Sequence, residues 1–136
     1  MANGLYDAAR AAFLNADIDW TNDDIRAILI DTASYTVNLS THDFLDDIPG
    51  GARVATSSAL SGKTSAAGVA DANDVTFSAV SGATVEAVVI YKHTGTESTS
   101  NLIAYMDTGM TGLPVTPNGG DITVQWANTT NRIFKL

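Results

Sequence analysis

The sequence predicts a mainly β domain, an antiparallel β-sandwich or barrel-like fold that carries one short helix near its N-terminus. Runs in which apolar and polar residues alternate dominate the second half of the chain, and turns rich in Gly, Ser, Thr and Asn separate them. Short, regularly spaced strands of this kind are typical of sandwiches and barrels. A chain of 136 residues is most simply one domain, and it can bury a core without disulfides, which the absence of cysteine excludes.

The N-terminal part combines the helix with a buried strand. Leu5–Leu14 predicts the helix, because its apolar residues recur at helical spacing and Ala and Leu favour this conformation. Trp20 is a large anchor in the polar turn that follows, and the apolar run Ile25–Asp31 predicts a buried strand. Further on, His42–Ile48 predicts one or two helical turns, which a Pro-Gly-Gly sequence ends.

Residues 55–70 differ in composition from the N-terminal part, 1–50, and from the predicted β-core, 73–136. Thirteen of these sixteen residues are Ala, Ser, Thr or Gly. Because small and hydroxyl side chains contribute little to a core, the segment predicts either an edge strand or an extended arm. We expect it to be loosely held in an isolated subunit unless another chain covers it.

The predicted β-core contains a central strand. Val85–Lys92 has one wholly apolar face and one mixed face, which is typical of a strand with neighbours on both sides. The sequence NTTN at 128–131 predicts the last turn of the domain. The other predicted strands are the alternating run Val75, Phe77 and Ala79, the apolar run Leu102–Asp107, the alternating run Ile122, Val124 and Trp126, and the C-terminal RIFKL.

The connection between the last two long strands, residues 107–120, is longer than a turn requires. Pro114 and Pro117 restrict its backbone, and Asn118-Gly119-Gly120 accepts positive φ angles. These residues favour a structural connection over a ligand-binding loop, although long loops often carry function. We expect residues 113–121 to be rigid and preformed, because prolines lower the entropy of the unfolded chain.

The formal charge of −8 is unevenly distributed, with −7 in the first 50 residues, where nine Asp face two Arg. An acidic chain of this kind argues against nucleic acid, which requires clustered Lys and Arg. No apolar run approaches the ~20 residues that span a bilayer, and the N-terminus lacks a secretion signal, so we expect a soluble protein that does not use a membrane. The negative charge of the first 50 residues either contributes to solubility alone or attracts a basic protein partner.

Two short motifs match catalytic signatures only in part. Asp107-Thr108-Gly109 has the sequence of aspartic proteases, whose chemistry needs two carboxylates that share a proton. Met110 follows where Ser or Ala is usual, so we interpret Asp107 as a turn residue after a strand. Ser61–Thr64, SGKT, resembles the end of a phosphate-binding loop, but Ser57 stands at the first glycine position and no helix is predicted to follow.

Two clusters of polar side chains fall short of metal sites. The cluster that contains His42 lacks three converging ligands, because the chain has only one other histidine. The cluster that contains Asn73 lacks the bidentate Glu of a calcium loop. We therefore predict that the chain has no catalytic residue, metal or cofactor, and that it is a binding or structural protein and not an enzyme. The clusters are His42, Asp43, Asp46 and Asp47, and Asp71, Asn73 and Asp74.

Two stretches show a familiar overall pattern: TVEAVVIYKHTGTESTSNLIAYMDTGMTGLPVTPNGGDITVQW, from Thr84 to Trp126, and the N-terminal AARAAFLNADIDWTNDDIRAILID. With them the chain resembles small virion structural proteins of tailed bacteriophages. The resemblance implies a capsid decoration, or cement, protein that is made in the bacterial cytoplasm and joins the virion. Such proteins form symmetric oligomers, here a trimer in the first instance, and they bind the major capsid protein or other virion proteins.

This expectation assigns contacts to particular segments. Residues 55–70 would be the arm that orders over a neighbouring subunit, and the acidic N-terminal region would meet basic capsid loops. The residues that we expect at such interfaces are Trp20, Asp23, Asp24, Ser61, Lys63, Pro114, Pro117 and Asn118.

An alternative expectation is a tail or head-fibre component that contacts a host glycan. Trp20, Tyr105 and Trp126 would then stack on sugar rings, with HTGTESTSN as a loop at the rim. The competing interpretation is that both tryptophans are core anchors, which is the more common role of large aromatic residues.

Overall fold

The computed structural model describes residues 3–127 and 132–136 as antiparallel sheets with one short α-helix, so the predicted mainly β class is confirmed. The turn predicted at 128–131 lies outside the described residues. The elements are β1 (Gly4–Leu5), α1 (Asp7–Leu14), β2 (Ile25–Ile30), β3 (Arg53–Thr56), β4 (Thr64–Ala66), β5 (Val69–Asp71), β6 (Val75–Phe77), β7 (Ala87–Lys92), β8 (Leu102–Met106), β9 (Ile122–Val124) and β10 (Phe134–Lys135).

The main sheet has five strands in the spatial order β1–β8–β7–β2–β3. Its centre is the pairing of β2 with β7, which runs in register from Ile25 opposite Lys92 to Ile30 opposite Ala87. All of β8, and all of β7 except Lys92, is buried. Strands buried on both faces need a layer on each side, and α1 supplies part of one layer by packing on β8. The prediction of a central strand at Val85–Lys92 is confirmed for Ala87–Lys92, whereas Val85 forms an isolated bridge with Val115.

The helix begins two residues later than the sequence predicts. Gly4 and Leu5 pair with Tyr105 and Ala104 of β8, and α1 starts only at Asp7. A short helix gains little from its first turn, whereas the open edge of β8 offers ladder hydrogen bonds. Leu5 therefore belongs to strand β1, and the buried residues of α1 are Ala9 and Ala12.

Several other predicted elements are shorter than expected, among them the strand predicted through Trp126, which ends at Val124, and the C-terminal RIFKL, in which the strand covers Phe134–Lys135. The strand predicted through Ala79 ends at Phe77, because Ala79 has a positive φ of 50° and its N–H donates to Oδ1 of Asp121 at 3.0 Å. The helical turns predicted at His42–Ile48 form a single 3₁₀ turn at Leu45–Asp47.

Residues 55–70 form an edge strand and a hairpin, and not one extended arm. The segment completes β3 at the edge of the main sheet and then forms the β4–β5 hairpin. Ala67 and Gly68 have φ angles of +53° and +78°, as a tight two-residue hairpin turn requires. Between these elements Ser57 and Leu60 are buried, whereas all three residues of β4 are exposed. Of the two alternatives that the sequence allows, the edge strand describes this segment.

The loop 113–121 is hydrogen-bonded to the chain that precedes β7. Val85 and Val115 exchange two backbone hydrogen bonds of 2.8 and 3.0 Å, and the Gly119 N–H donates to the Val80 carbonyl at 2.7 Å. These bonds make the loop an irregular continuation of the β-structure, which agrees with its interpretation as a structural connection.

The buried apolar side chains of α1 and of the three sheets form one continuous core. The two smaller sheets have the orders β10–β5–β4 and β6–β9, and they remain separate from the main sheet, so the fold is not clearly a closed barrel. Among the described residues, no helix combines the length and the apolar character that crossing a membrane requires.

Candidate functional site

The structure brings five of the eight expected contact residues together in space. The loop before β2 and the loop before β4 meet where the Lys63 ammonium donates to the Asp23 carbonyl oxygen. The three others lie in the 113–121 loop, where Asn118 Oδ1 accepts the Gly120 N–H at 3.0 Å. The five that converge are Trp20, Asp23, Asp24, Ser61 and Lys63, and the three that lie apart from them in the loop are Pro114, Pro117 and Asn118.

The carboxylates of this acidic region are paired within the chain. Arg26 donates to both oxygens of Asp24 at 3.0 and 2.9 Å, and these bonds hold the pKa of Asp24 below its usual range. Lys92 lies 3.2 Å from the Asp23 carboxylate and also donates to the Asp17 carbonyl at 2.6 Å. Internal pairing reduces the negative charge that this region presents to a basic partner.

Both tryptophans are buried anchors of the segment between β5 and β6. The Trp20 indole N–H donates to the Asp71 carbonyl at 3.2 Å, and that of Trp126 donates to the Asn73 carbonyl at 3.0 Å. Trp20, Trp126 and Tyr105 expose only 6%, 7% and 3% of their surface. This burial favours the interpretation of both tryptophans as core anchors over a role of these three residues in stacking on a sugar.

An apolar cleft of about 400 Å³ opens beside Trp20, and we call it the Trp20 cleft. The Phe134 ring closes one wall, with its centroid 5.2 Å from that of Trp20 in an edge-to-face arrangement. Asp19 and Ser65 stand on the polar rim of the cleft. The apolar lining is Phe13, Ala16, Ile18, Trp20, Ala70, Phe134 and Leu136.

Exposed apolar side chains adjoin the Trp20 cleft. Leu14, the last residue of α1, is 88% exposed, and Leu136 is 59% exposed. They are the large apolar side chains that stand exposed among residues 3–127 and 132–136. Leu136 lines the Trp20 cleft, and Leu14 follows Phe13, which also lines it.

A second cleft of about 350 Å³ meets the Trp20 cleft at Phe134, which lines both. Arg10, Arg132 and Lys135 line it, and we call it the basic cleft. Seven Lys and Arg residues occur in the whole chain, and three of them line this cleft. Arg10 lies 2.9 Å from the Asp7 carboxylate and Arg132 lies 4.0 Å from that of Asp71, so internal pairing reduces the positive charge that the cleft presents.

A third concavity, of about 510 Å³, is lined by Tyr35, Glu86, Tyr105, Asp107 and Pro114, and we call it the tyrosine groove. Burial, followed by the neighbouring Asp107 carboxylate, raises the pKa of Tyr105 to about 12. The groove therefore presents phenols that stay protonated at neutral pH beside two carboxyl side chains.

Behind the tyrosine groove, a chain of hydrogen bonds runs from the core to the surface. The Tyr6 and Tyr35 hydroxyls lie 2.9 Å apart, and the Tyr35 hydroxyl lies 2.8 Å from Nδ1 of His42. The Asn38 N–H also points at Nδ1 at 3.3 Å, so this nitrogen acts as an acceptor and the Tyr35 hydroxyl donates to it. Burial raises the pKa of both Tyr6 and Tyr35. His42 thus has a structural role in this network.

Hydrogen bonds from the Asn3 side chain connect the Asp107-Thr108-Gly109 turn to the N-terminal segment. Oδ1 of Asn3 accepts the N–H groups of Asp107 and Thr108 at 2.8 and 3.1 Å, and its amide donates to the Thr108 carbonyl at 2.8 Å. The Asp107 carboxylate faces Tyr105. These contacts support the interpretation of Asp107 as a turn residue.

The other motifs also lie in structural contacts. Ser61–Thr64 leads directly into strand β4, whereas a phosphate-binding loop needs a helix there. Asp47 accepts the Asp43 N–H at 2.8 Å and so closes the 3₁₀ turn. In the part of the chain that the structure describes, no three His, Asp or Glu side chains are placed to hold a metal ion.

Sequence reasoning missed both clefts and the tyrosine network, because each joins residues far apart in the chain. One signal did exist for Leu14. The helical face assigned to the core contains Leu5, Ala9, Ala12 and Phe13, and Leu14 projects from the opposite side at helical spacing. An apolar residue on the solvent side of a helix indicates an interaction surface.

The comparisons with known proteins assign no family to this arrangement: no protein-family model matches the chain, and no curated protein matches it significantly in sequence.

Proposed function

We propose that this chain is a non-enzymatic structural protein of a tailed-phage virion, and that it acts as a decoration or cement protein on the capsid. In this role it binds neighbouring subunits of the major capsid protein as a homo-oligomer. The observation that carries the proposal is the open backbone edge of β4, because a clamp that joins two protein subunits needs a surface that another chain can extend.

Among residues 3–127 and 132–136, no strand pairs with the outer edge of β4, and the direction of its backbone groups is defined. The Ala70 carbonyl accepts the Ile133 N–H at 3.1 Å, so Ala70 directs its backbone groups toward β10. Ser65, which stands opposite Ala70, is therefore in a non-hydrogen-bonded pair and directs its own N–H and C=O to the open edge. All three residues of β4 are exposed, and none carries a large or charged side chain that would block a pairing strand.

The test uses particles of the phage that encodes the chain, stripped of this protein and then incubated with purified variants. Ser65→Pro removes the outward N–H and leaves the β4–β5 hydrogen bonds in place, because proline is tolerated at a strand edge. Ser65→Ala is the matched control, since it changes the side chain and keeps the N–H.

We expect Ser65→Pro to lose most of its binding to the particles, whereas Ser65→Ala binds like the original chain. A cryo-EM map of the native particle provides a direct readout, with hundreds of copies on the shell expected for a cement protein. A chain absent from the virion, or present in only a few copies at the tail, would rule the proposal out.

The second candidate is a tail or head-fibre component that binds a host glycan, and the tyrosine groove is the observation that favours it. Glu86 and Asp107 supply acceptors and the threonines of the groove supply hydroxyl groups, which suit a polyhydroxylated ligand. A glycan array separates the two candidates. A reproducible hit that Glu86→Gln abolishes would support the second one.

A further inference from the structure

We propose that the outer edge of β4 and the Trp20 cleft together bind an extended segment of another protein, and that one large apolar side chain of this segment enters the cleft. The inference rests on the open edge that carries the proposed function, and it specifies the chemistry of the partner at that site.

The floor of the Trp20 cleft is one face of the three-stranded sheet β10–β5–β4. Phe134 lies opposite Ala70, and Ala70 lies opposite Ser65, so the three side chains form a row that crosses the sheet on one face. All three residues line the cleft. Because Ala70 and Ser65 are small, they leave space above the sheet next to the outer edge of β4.

A strand that pairs with β4 extends this row by one residue. The residue opposite Ser65 directs its side chain to the same face of the sheet as Ser65, and therefore toward the cleft. The rings of Phe13 and Trp20 lie 5.9 and 5.2 Å from that of Phe134 and make this part of the cleft apolar. A volume of about 400 Å³ accommodates an aromatic or a branched aliphatic side chain.

The charge at the rim of the cleft favours a basic residue beside that apolar anchor. Hydrogen bonds from Asn22 and Thr21, of 2.7 and 3.1 Å, lower the pKa of Asp19, so its exposed carboxylate is ionised at neutral pH. Within residues 3–127 and 132–136, Asp19 belongs to no ion pair. A Lys or Arg on the incoming segment is complementary to this carboxylate.

The β4 strand of a second copy does not have the required chemistry. Two β4 strands that pair along their outer edges place Thr64, Ser65 or Ala66 opposite Ser65, and each of these side chains is too small to fill the cleft. The occupant is therefore a segment of different sequence, with a large apolar residue at the paired position and a basic residue near it.

Peptide titration by NMR tests the pairing and its selectivity. The probe is acetyl-Lys-Thr-Thr-Phe-Thr-Thr-Lys-amide, compared with peptides that carry Ser in place of Phe or Glu in place of both Lys. The Ser65 amide and the Trp20 indole N–H are the reporters, and the Trp126 indole N–H is the internal reference because Trp126 lines none of the three cavities.

We expect the phenylalanine peptide to shift both reporters and to bind about tenfold more tightly than the serine peptide, because only the former buries a large apolar side chain. The glutamate peptide should bind more weakly than the lysine peptide, and salt should reduce this difference.

Two variants of β4 separate the cleft from the backbone edge. Ser65→Phe fills the cleft from within the chain and retains the backbone N–H, so it should remove the preference for the phenylalanine peptide and weaken binding to particles. Ala66→Phe is the matched control, because Ala66 is exposed on the other face of the same strand. It should retain the preference. Circular dichroism should show both variants folded, since both positions are exposed.

Equal binding of the phenylalanine and serine peptides would overturn the inference. So would shifts that spare the Trp20 indole, a phenylalanine preference that survives Ser65→Phe, or unchanged reporters at millimolar peptide. Pairing of two β4 edges in the purified chain, with the Trp20 indole unchanged, would also contradict it.

This inference and the proposed function fail separately. A cleft that selects the phenylalanine peptide in a chain that does not bind particles would refute the proposed function and leave the inference standing. Particle binding that Ser65→Pro removes and Ser65→Phe leaves intact would refute the inference alone.

Discussion

The hydroxyl groups of Tyr6 and Tyr35 lie 2.9 Å apart in the core, and Tyr35 alone connects Tyr6 to His42, 2.8 Å further on. Tyr6 is completely buried, so the Tyr35 hydroxyl supplies the hydrogen bond that the Tyr6 hydroxyl needs. The hydrogen bond between Tyr6 and Tyr35 connects the start of α1 with the loop after β2.

Tyr35→Phe should therefore lower the free energy of unfolding by about 1–3 kcal/mol, because it leaves the buried Tyr6 hydroxyl without its partner and removes the shorter of the two hydrogen bonds to Nδ1 of His42. Urea titration measures the effect. Tyr91→Phe is the matched control, since the Tyr91 hydroxyl makes only a long contact of 3.4 Å to His93, and it should cost clearly less. Equal costs for the two variants would show that the network adds no stability.

Alkaline titration of the original chain and of Tyr105→Phe tests the raised pKa of Tyr105. Its pKa of about 12 in the folded state lies above the ordinary value near 10, so its contribution to stability is complete below about pH 10. As the pH rises through the folded-state pKa, the unfolded state ionises first and this contribution is lost. We expect the free energy of unfolding to fall between about pH 10 and 12, and Tyr105→Phe to make that fall less steep. An unchanged slope would contradict the assignment.

Asn3 should matter more to the Asp107 turn than the Asp107 carboxylate does. Asn3→Ala removes four hydrogen bonds to the turn and should cost about 1–2 kcal/mol, measured by thermal or urea unfolding. Asp107→Asn retains the backbone N–H that Asn3 binds, and we expect it to leave stability and assembly nearly unchanged. A pepstatin-sensitive peptidase activity that Asp107→Asn abolishes would refute the structural role and the non-enzymatic interpretation together.

Hydrogen exchange should divide the segment 55–70 into two parts. The amides of Ser57 and Leu60 donate to carbonyls of β2 at 2.8 and 2.7 Å, so they should exchange slowly in the isolated chain. The Ser65 amide faces the open edge and should exchange fast, then become protected on the particle. The Val115 and Gly119 amides should be slow in both states, because both are hydrogen-bonded within the chain. A Ser65 amide that is protected in the free monomer would contradict the open edge.

Several elements of the fold could be predicted locally, and others could not. The alternation in Val85–Lys92 predicted a central strand correctly, because side chains along a strand alternate between its two faces and this alternation is visible in consecutive residues. The first helical turn was placed incorrectly, because the pairing of Gly4 and Leu5 depends on β8, about a hundred residues away. For 55–70, composition left the edge strand and the arm open, and the burial of Leu60 in the folded chain distinguished them.

The sequence by itself determined the strands, the turn chemistry and the absence of thiol chemistry, because these depend on the identities of neighbouring residues. It also predicted Trp20, Asp23 and Lys63 as interface residues, without showing that Lys63 contacts Asp23. Only the tertiary structure decided that Asp23 and Asp24 are paired internally, that both tryptophans are buried, and that Leu14 stands beside an apolar cleft. Each of these facts depends on long-range contacts, and such contacts are set by how the sheets pack and not by any local pattern.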